Sequence, residues 1–183
     1  MKNECEKIMN VKQDGVIKRL QEKNQRFQKQ YTTDVKKHIL GQSPKIAVLT
    51  CADSRVIPEY IFQADIGDLF IVRVAGNIAV DETILFSLEY AVKQLHITHL
   101  IILAHTHCGA VKAAEQAKES TSLLLSEIQK SFTLKKDHVL ANLNRQMSLL
   151  PQRSKSIRTA METDSLRLIA ALYHLENGHV EFL

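Results

Sequence analysis

The sequence predicts an α/β fold: a central, mostly parallel β-sheet flanked by helices, with an amino-terminal helical arm and a carboxyl-terminal β-hairpin. Three observations carry that prediction. Short apolar runs rich in branched residues recur at 46–50, 69–74 and 99–104, the pattern of strands buried on both faces. Helix-like stretches lie between and after these runs, so that strands alternate with helices. Near the end of the chain Asn177-Gly178 separates two extended runs, a strong hairpin signal.

Taken in order, Val16, Ile17, Leu20, Phe27 and Tyr31 recur at helical spacing among charged residues, predicting a helix over about 11–38. Gly41 to Pro44 break that pattern. The run Ile46-Ala47-Val48-Leu49-Thr50 is the first strand, and the second follows the turn signal Gly67-Asp68. A helical stretch over 82–95 leads to the third strand. The second half is more helical, over 110–118, near 123–128 and over about 138–150, where Pro151 is expected to stop the helix. The hairpin is expected from 166–175 and 179–183. Nothing resembles a repeat or a linker, so 183 residues read as one domain, with 1–40 as the arm and 41–183 as sheet and helices.

Composition narrows the function. Apolar residues make up 45% and charged residues 24%, ordinary for a globular chain able to bury a core. The net charge is a mild +4. Its densest basic stretches, Lys18, Arg19, Lys23, Arg26 and then Arg153, Lys155, Arg158, read as solvated helix faces, and no nucleic-acid-binding spacing accompanies them. Nucleic acid is therefore not expected as a partner. No apolar run reaches the roughly 20 residues of a membrane helix. The first twelve residues mix charges and lack a signal-peptide core, so a cytoplasmic location is expected. There Cys5, Cys51 and Cys108 would stay reduced, which favours metal or catalytic roles over disulfides.

Reactive side chains collect at two strand ends. The first strand runs into Cys51-Ala52-Asp53-Ser54-Arg55, the third into His105-Thr106-His107-Cys108-Gly109. Sites in open parallel sheets form beyond the carboxyl ends of strands. Zinc takes thiolate and imidazole ligands, and a catalytic zinc keeps one position open beside three protein ligands. Cys51, His105 and Cys108 suit that pattern, although any one of them alone reads equally well as a small buried residue. Asp53 and Arg55 are either a surface ion pair or a device that keeps Asp53 ionised and oriented; spacing leaves both open.

These motifs resemble the β-class carbonic anhydrases. The 51–55 and 105–109 segments are similar to the two family signatures. The stretch Gly67-Asp68-Leu69-Phe70-Ile71-Val72-Arg73-Val74-Ala75-Gly76-Asn77 is similar to the segment between them, and Ser87-Leu88-Glu89-Tyr90-Ala91-Val92 to the following helix. The ordered resemblance covers about 41–113, with a weaker echo in Ala171-Leu172-Tyr173 and the Asn177-Gly178 turn. It implies zinc-dependent, reversible hydration of carbon dioxide to bicarbonate and a proton by zinc-bound hydroxide.

The resemblance also implies roles. Cys51, His105 and Cys108 would hold Zn2+. Asp53 would pair with Arg55, or bind the metal itself in a closed form. Gln42, nine residues before Cys51, would hydrogen-bond substrate from a partner subunit. Phe70, Ala75 and Tyr90 would line the carbon dioxide pocket. The assembly would be a homodimer or a multiple of dimers, with the amino-terminal helix embracing the neighbour. Two thiolates leave the metal less positive than three imidazoles would, so activity is expected to rise toward alkaline pH.

Departures from the family pattern are few. His107 stands where the family usually carries Asp, as a proton relay or as a tolerated exposed residue. Ala104 replaces a usual Gly. The chain has no Trp, so the allosteric pocket of the bicarbonate-regulated branch is not expected. Cys5 matches nothing in the pattern and reads as a free surface thiol. Two other functions share the same residues: a carbon disulfide or carbonyl sulfide hydrolase, and a non-catalytic zinc-binding scaffold.

Overall fold

The computed structural model describes residues 15–30, 39–118, 122–132 and 137–183. The chain divides into two compact units, 1–41 and 42–183. In the first, helix α1 (Gly15–Gln30) is exposed along nearly its whole length, Val16, Leu20 and Phe27 included, and Gln28 donates to Asn24 one turn earlier at 2.8 Å. The remainder of the helix expected over 11–38 lies outside the described residues.

The second unit is a five-stranded sheet with helices between its strands. In chain order it runs β1 (Ile46–Thr50), α2 (Pro58–Ile61), β2 (Leu69–Arg73), a 3-10 turn (Ala75–Asn77), α3 (Glu82–Lys93) and β3 (His99–His105). It continues with α4 (Gly109–Gln116), α5 (Leu123–Gln129), α6 (His138–Arg153), α7 (Lys155–Glu162), β4 (Arg167–Tyr173) and β5 (Val180–Phe182). The strand order is β2-β1-β3-β4-β5. The first three pairings are parallel, and β4 with β5 is antiparallel. The chain leaves β1 toward β2 on one side and returns to β3 on the other. The carboxyl ends of β1 and β3 therefore form the topological switch point of the sheet, where doubly wound folds open a crevice.

Alternation along the strands sorts the core into two faces. Ala47, Leu49, Val72, Leu100 and Ile102 pack toward Leu85, Leu88 and Ala91 of α3, Leu143 and Leu150 of α6, and Ile157 of α7. Val48, Ile101, Leu103 and Ala171 face the other way with Val56. Each fully buried Leu or Ile contributes roughly 1.5–3 kcal/mol of transfer free energy, so the sheet is held mainly by this burial. Helix starts are set locally. Asp81 accepts the Thr83 N–H, Asp137 the Leu140 N–H and Ser154 the Ile157 N–H, each satisfying an orphan donor of the first turn.

One sequence expectation fails in detail. Pro151 does not stop α6, which runs on to Arg153. The proline removes only its own donor, while Ser154 N–H still closes the last turn on Leu150 O at 3.0 Å, and Arg158 caps the Pro151 carbonyl at 2.8 Å. Helix α7, which starts at once from the Ser154 cap, has no counterpart in the sequence reading.

Candidate metal centre

The sheet brings the two reactive segments together. Thr50, the last residue of β1, lies in register with Leu103 of β3, and its hydroxyl donates to the Leu103 carbonyl at 2.9 Å. The residue just after β1 is Cys51, and two residues further along β3 is His105. After a short turn Cys108 stands at the head of α4. All three are buried, and their ligand atoms lie within 4.8 Å of one another.

Local hydrogen bonds set the chemistry of each ligand. The two sulfurs are 3.9 Å apart, as free thiols. His105 Nδ1 is 2.8 Å from the Thr106 carbonyl, which can only accept, so Nδ1 carries the proton and Nε2 presents a lone pair. Nε2 is buried with no hydrogen-bond partner. A buried polar atom without a partner is costly, and here it faces two thiols. The Cys51 thiol is drawn well below the usual range, first by the hydrogen bond from Cys108 and further by the Gly76 N–H, with burial opposing. Cys108 is pushed up, by that shared bond and then by burial, although the Ala110 and Val111 N–H groups at the start of α4 favour its ionised form. A divalent cation bound between the two sulfurs would displace their protons. Two sulfurs and one imidazole nitrogen, buried and convergent, fit zinc.

Beside them Asp53 is gripped by Arg55. The Arg55 Nε donates to Oδ1 at 3.0 Å, Nη2 donates to Oδ2 at 2.7 Å, and the Arg55 backbone N–H donates to Oδ1 at 3.0 Å. The guanidinium hydrogen bonds hold the carboxyl well below the usual carboxylate range, against the opposing effect of burial. Oδ2 stops 3.9 Å from His105 Nε2, too far for a direct hydrogen bond.

Arg73 on β2 has a role that the sequence reading did not assign. Its Nε donates to the Cys51 carbonyl at 3.3 Å, and its Nη2 to the carbonyls of Asp53 at 2.7 Å and Val56 at 2.8 Å. A lone cation inside an apolar strand, Leu-Phe-Ile-Val-Arg, was the available signal. On the other side, His107 is exposed with φ of 53°, and its carbonyl accepts from Arg55 at 3.3 Å. Its ring meets Glu176 of the β4–β5 hairpin at 2.6 Å, and the same carboxylate accepts from Thr106 at 2.9 Å. The hairpin is thereby tied to the ligand-bearing turn.

The remaining predicted residues are more dispersed. Ala75 opens the 3-10 turn beside Cys51. Phe70 packs on the helix-covered side of the sheet, in register with Ala47, and its ring lies 6.2 Å from that of Tyr90 on α3. Gln42 is exposed, ahead of β1. The five residues of β1, at about 3.3 Å each, lie between the segment that carries Gln42 and Cys51.

The carbonic anhydrase family model matches residues 46–180. The chain belongs to the carbonic anhydrase family. Among curated family members it is 31% identical to a carbonic anhydrase of Mycolicibacterium smegmatis, over 77% of this chain and 75% of that protein. It is 32% identical to carbonic anhydrase 2 of Mycobacterium tuberculosis, over 75% and 73% respectively. In three dimensions it matches the β-carbonic anhydrase CcaA with a TM-score of 0.78 and 27% identity, over 93% of this chain and 92% of that one. The chain is thus a β-class carbonic anhydrase in family and fold, an enzyme family, and its Cys51–His105–Cys108 cluster is a site able to bind metal. No helix among the described residues is long and apolar enough to cross a membrane.

Proposed function

We propose that this carbonic anhydrase catalyses the reversible hydration of carbon dioxide to bicarbonate and a proton, with Zn2+ held by Cys51, His105 and Cys108. The observation that carries this reading is the buried, unpartnered His105 Nε2 facing two thiols, with a clamped carboxylate 3.9 Å away. When bound, zinc supplies a Lewis acid that makes water nucleophilic near neutral pH.

The protein's own groups do the rest. Asp53, kept ionised by Arg55, can only accept hydrogen bonds, so it orients the attacking water by taking one of its O–H groups. The water oxygen forms a bond to the carbon, one C=O opens to a carboxylate, and the released proton passes to solvent. Phe70, Ala75 and Tyr90 provide apolar lining that favours an uncharged substrate. Gln42 hydrogen-bonds the substrate from a second subunit, a reading supported by the five residues of β1 that lie between its segment and its own Cys51. A homodimer or a multiple of dimers follows. The two free thiols must stay reduced to bind metal, which supports a cytoplasmic setting.

Stopped-flow carbon dioxide hydration, with zinc content measured on the same sample, tests this. One zinc per chain with fast turnover that rises toward alkaline pH is the expected result. One zinc per chain with no turnover at acidic or alkaline pH would reject the hydratase and direct assays to carbon disulfide and carbonyl sulfide.

A further inference from the structure

Two amide side chains of α6 are buried as deeply as the apolar core, Asn142 at 1% exposure and Gln146 at 0%. Buried amides are retained only when their hydrogen bonds are met, and these are met by one short segment. Gln146 Oε1 accepts the Ala79 N–H at 2.8 Å, and Gln146 Nε2 donates to Asn142 Oδ1 at 3.0 Å. Asn142 Nδ2 in turn donates to the Gly76 carbonyl at 2.7 Å. The Gly76 N–H then donates to Cys51 Sγ at 3.3 Å. Hydrogen bonds from α6 therefore hold Gly76 by its carbonyl, and the N–H on the other side of the same residue reaches a sulfur of the candidate metal centre.

The segment it anchors is strained. Gly76 has φ of 70° and Asn77, with a side chain, has φ of 45°. Such left-handed residues persist only where surrounding contacts over-determine them. The Gly76 side is also tight, since a Cβ there would meet Ile128 Cδ1 at 2.6 Å. Held from α6 at both Gly76 and Ala79, the turn keeps its N–H aimed at sulfur.

We propose that Asn142 and Gln146 are positioning residues of the metal centre: they fix the 75–79 turn so that the Gly76 N–H withdraws charge from the Cys51 sulfur and sets how strongly it donates to the metal. This rests on the metal reading given above. Hydrogen bonds one shell out from a metal tune its ligands in this way.

The test uses the cobalt-substituted full chain. Asn142→Leu and Gln146→Met each break the chain of hydrogen bonds at a different link, and Leu143→Ala on the same helix removes core packing alone. Both amide variants are expected to move the thiolate-to-cobalt charge-transfer band to longer wavelength, and to shift the Gly76 amide proton upfield in the metal-free protein. Leu143→Ala is expected to lower the melting temperature and leave both signals in place. Amide variants that melt earlier with an unchanged band and an unchanged Gly76 resonance would overturn the proposal, reducing the pair to packing. If one amide variant does not fold, the other reports on the same turn. A wild-type chain that takes up no cobalt would instead overturn the metal reading beneath it, an outcome visible before any variant is made.

Discussion

Arg55 holds both oxygens of Asp53 through its Nε and Nη2, so that the carboxylate is fixed in plane and its Oδ2 stands 3.9 Å from the lone-pair nitrogen of His105. A planar fork is needed for that grip, and an ammonium group cannot reproduce it. Arg55→Lys keeps the charge and loses the second hydrogen bond. Misplacement of Asp53 by even about an ångström is expected to lower kcat roughly tenfold to a hundredfold, with zinc content unchanged, as read by stopped-flow and metal analysis.

Removing a ligand should act on metal first. Cys108→Ser is expected to drop zinc well below one per chain and abolish turnover. Added zinc raises the stability of a chain that binds it by about 2.7 kcal/mol at a hundredfold excess over the dissociation constant. Thermal melts with and without zinc are therefore expected to separate for the wild type and to coincide for Cys108→Ser.

The turn beside Cys51 offers a test of strain. Gly76→Ala places a Cβ at positive φ and against Ile128. It is expected to destabilise the protein by about 1–3 kcal/mol in urea unfolding. Adding Ile128→Val, which trims the side chain it meets, is expected to recover part of that loss. Equal stability of wild type and Gly76→Ala would show that the turn relaxes freely.

Glu89 gives a pH dependence away from the metal. Its carboxylate accepts from Ser154 at 2.5 Å, joining α3 to the start of α7, and pairs with Lys93 at 3.0 Å. These contacts, Ser154 first, lower its pKa against the opposing effect of burial. A carboxylate whose folded pKa is depressed adds stability above its unfolded value, about 4.3, and that stability is lost as pH falls through the folded value. Relative to Glu89→Gln, the wild type should thus be more stable by about 1 kcal/mol at pH 7, with the gap closing below about pH 4. A gap that persists at pH 3 would mean that packing alone accounts for it.

Much of this molecule can be read from its residues, for a physical reason. β1 and β3 are buried on both faces, so continuous apolar runs mark them, and the change to polar residues at Cys51 and His105 marks where they end. The metal-capable residues sit at or just beyond those ends, where a parallel sheet opens its crevice. The supporting groups are harder to see because they act across the fold. Asn142 and Gln146 fall one turn apart on α6 and are polar, yet they share the buried side with Leu143 and Leu150. Their partners lie 66 and 67 residues earlier in the chain, and no periodicity reports on that. Pro151 misleads for the opposite reason. A breaker near the end of a helix costs one bond, and Arg158 and the Ser154 cap absorb the consequence.

The two sulfurs that meet at 3.9 Å are 57 residues apart along the chain. His105 and Cys108 are near neighbours in any conformation, whereas Cys51 arrives only when β1 docks against β3. An ion held by all three would therefore bridge two strands, not one turn. Its release to a chelator is expected to slow in step with hydrogen exchange at Thr50 and Leu103, and release much faster than that exchange would show that the ion leaves with the sheet closed.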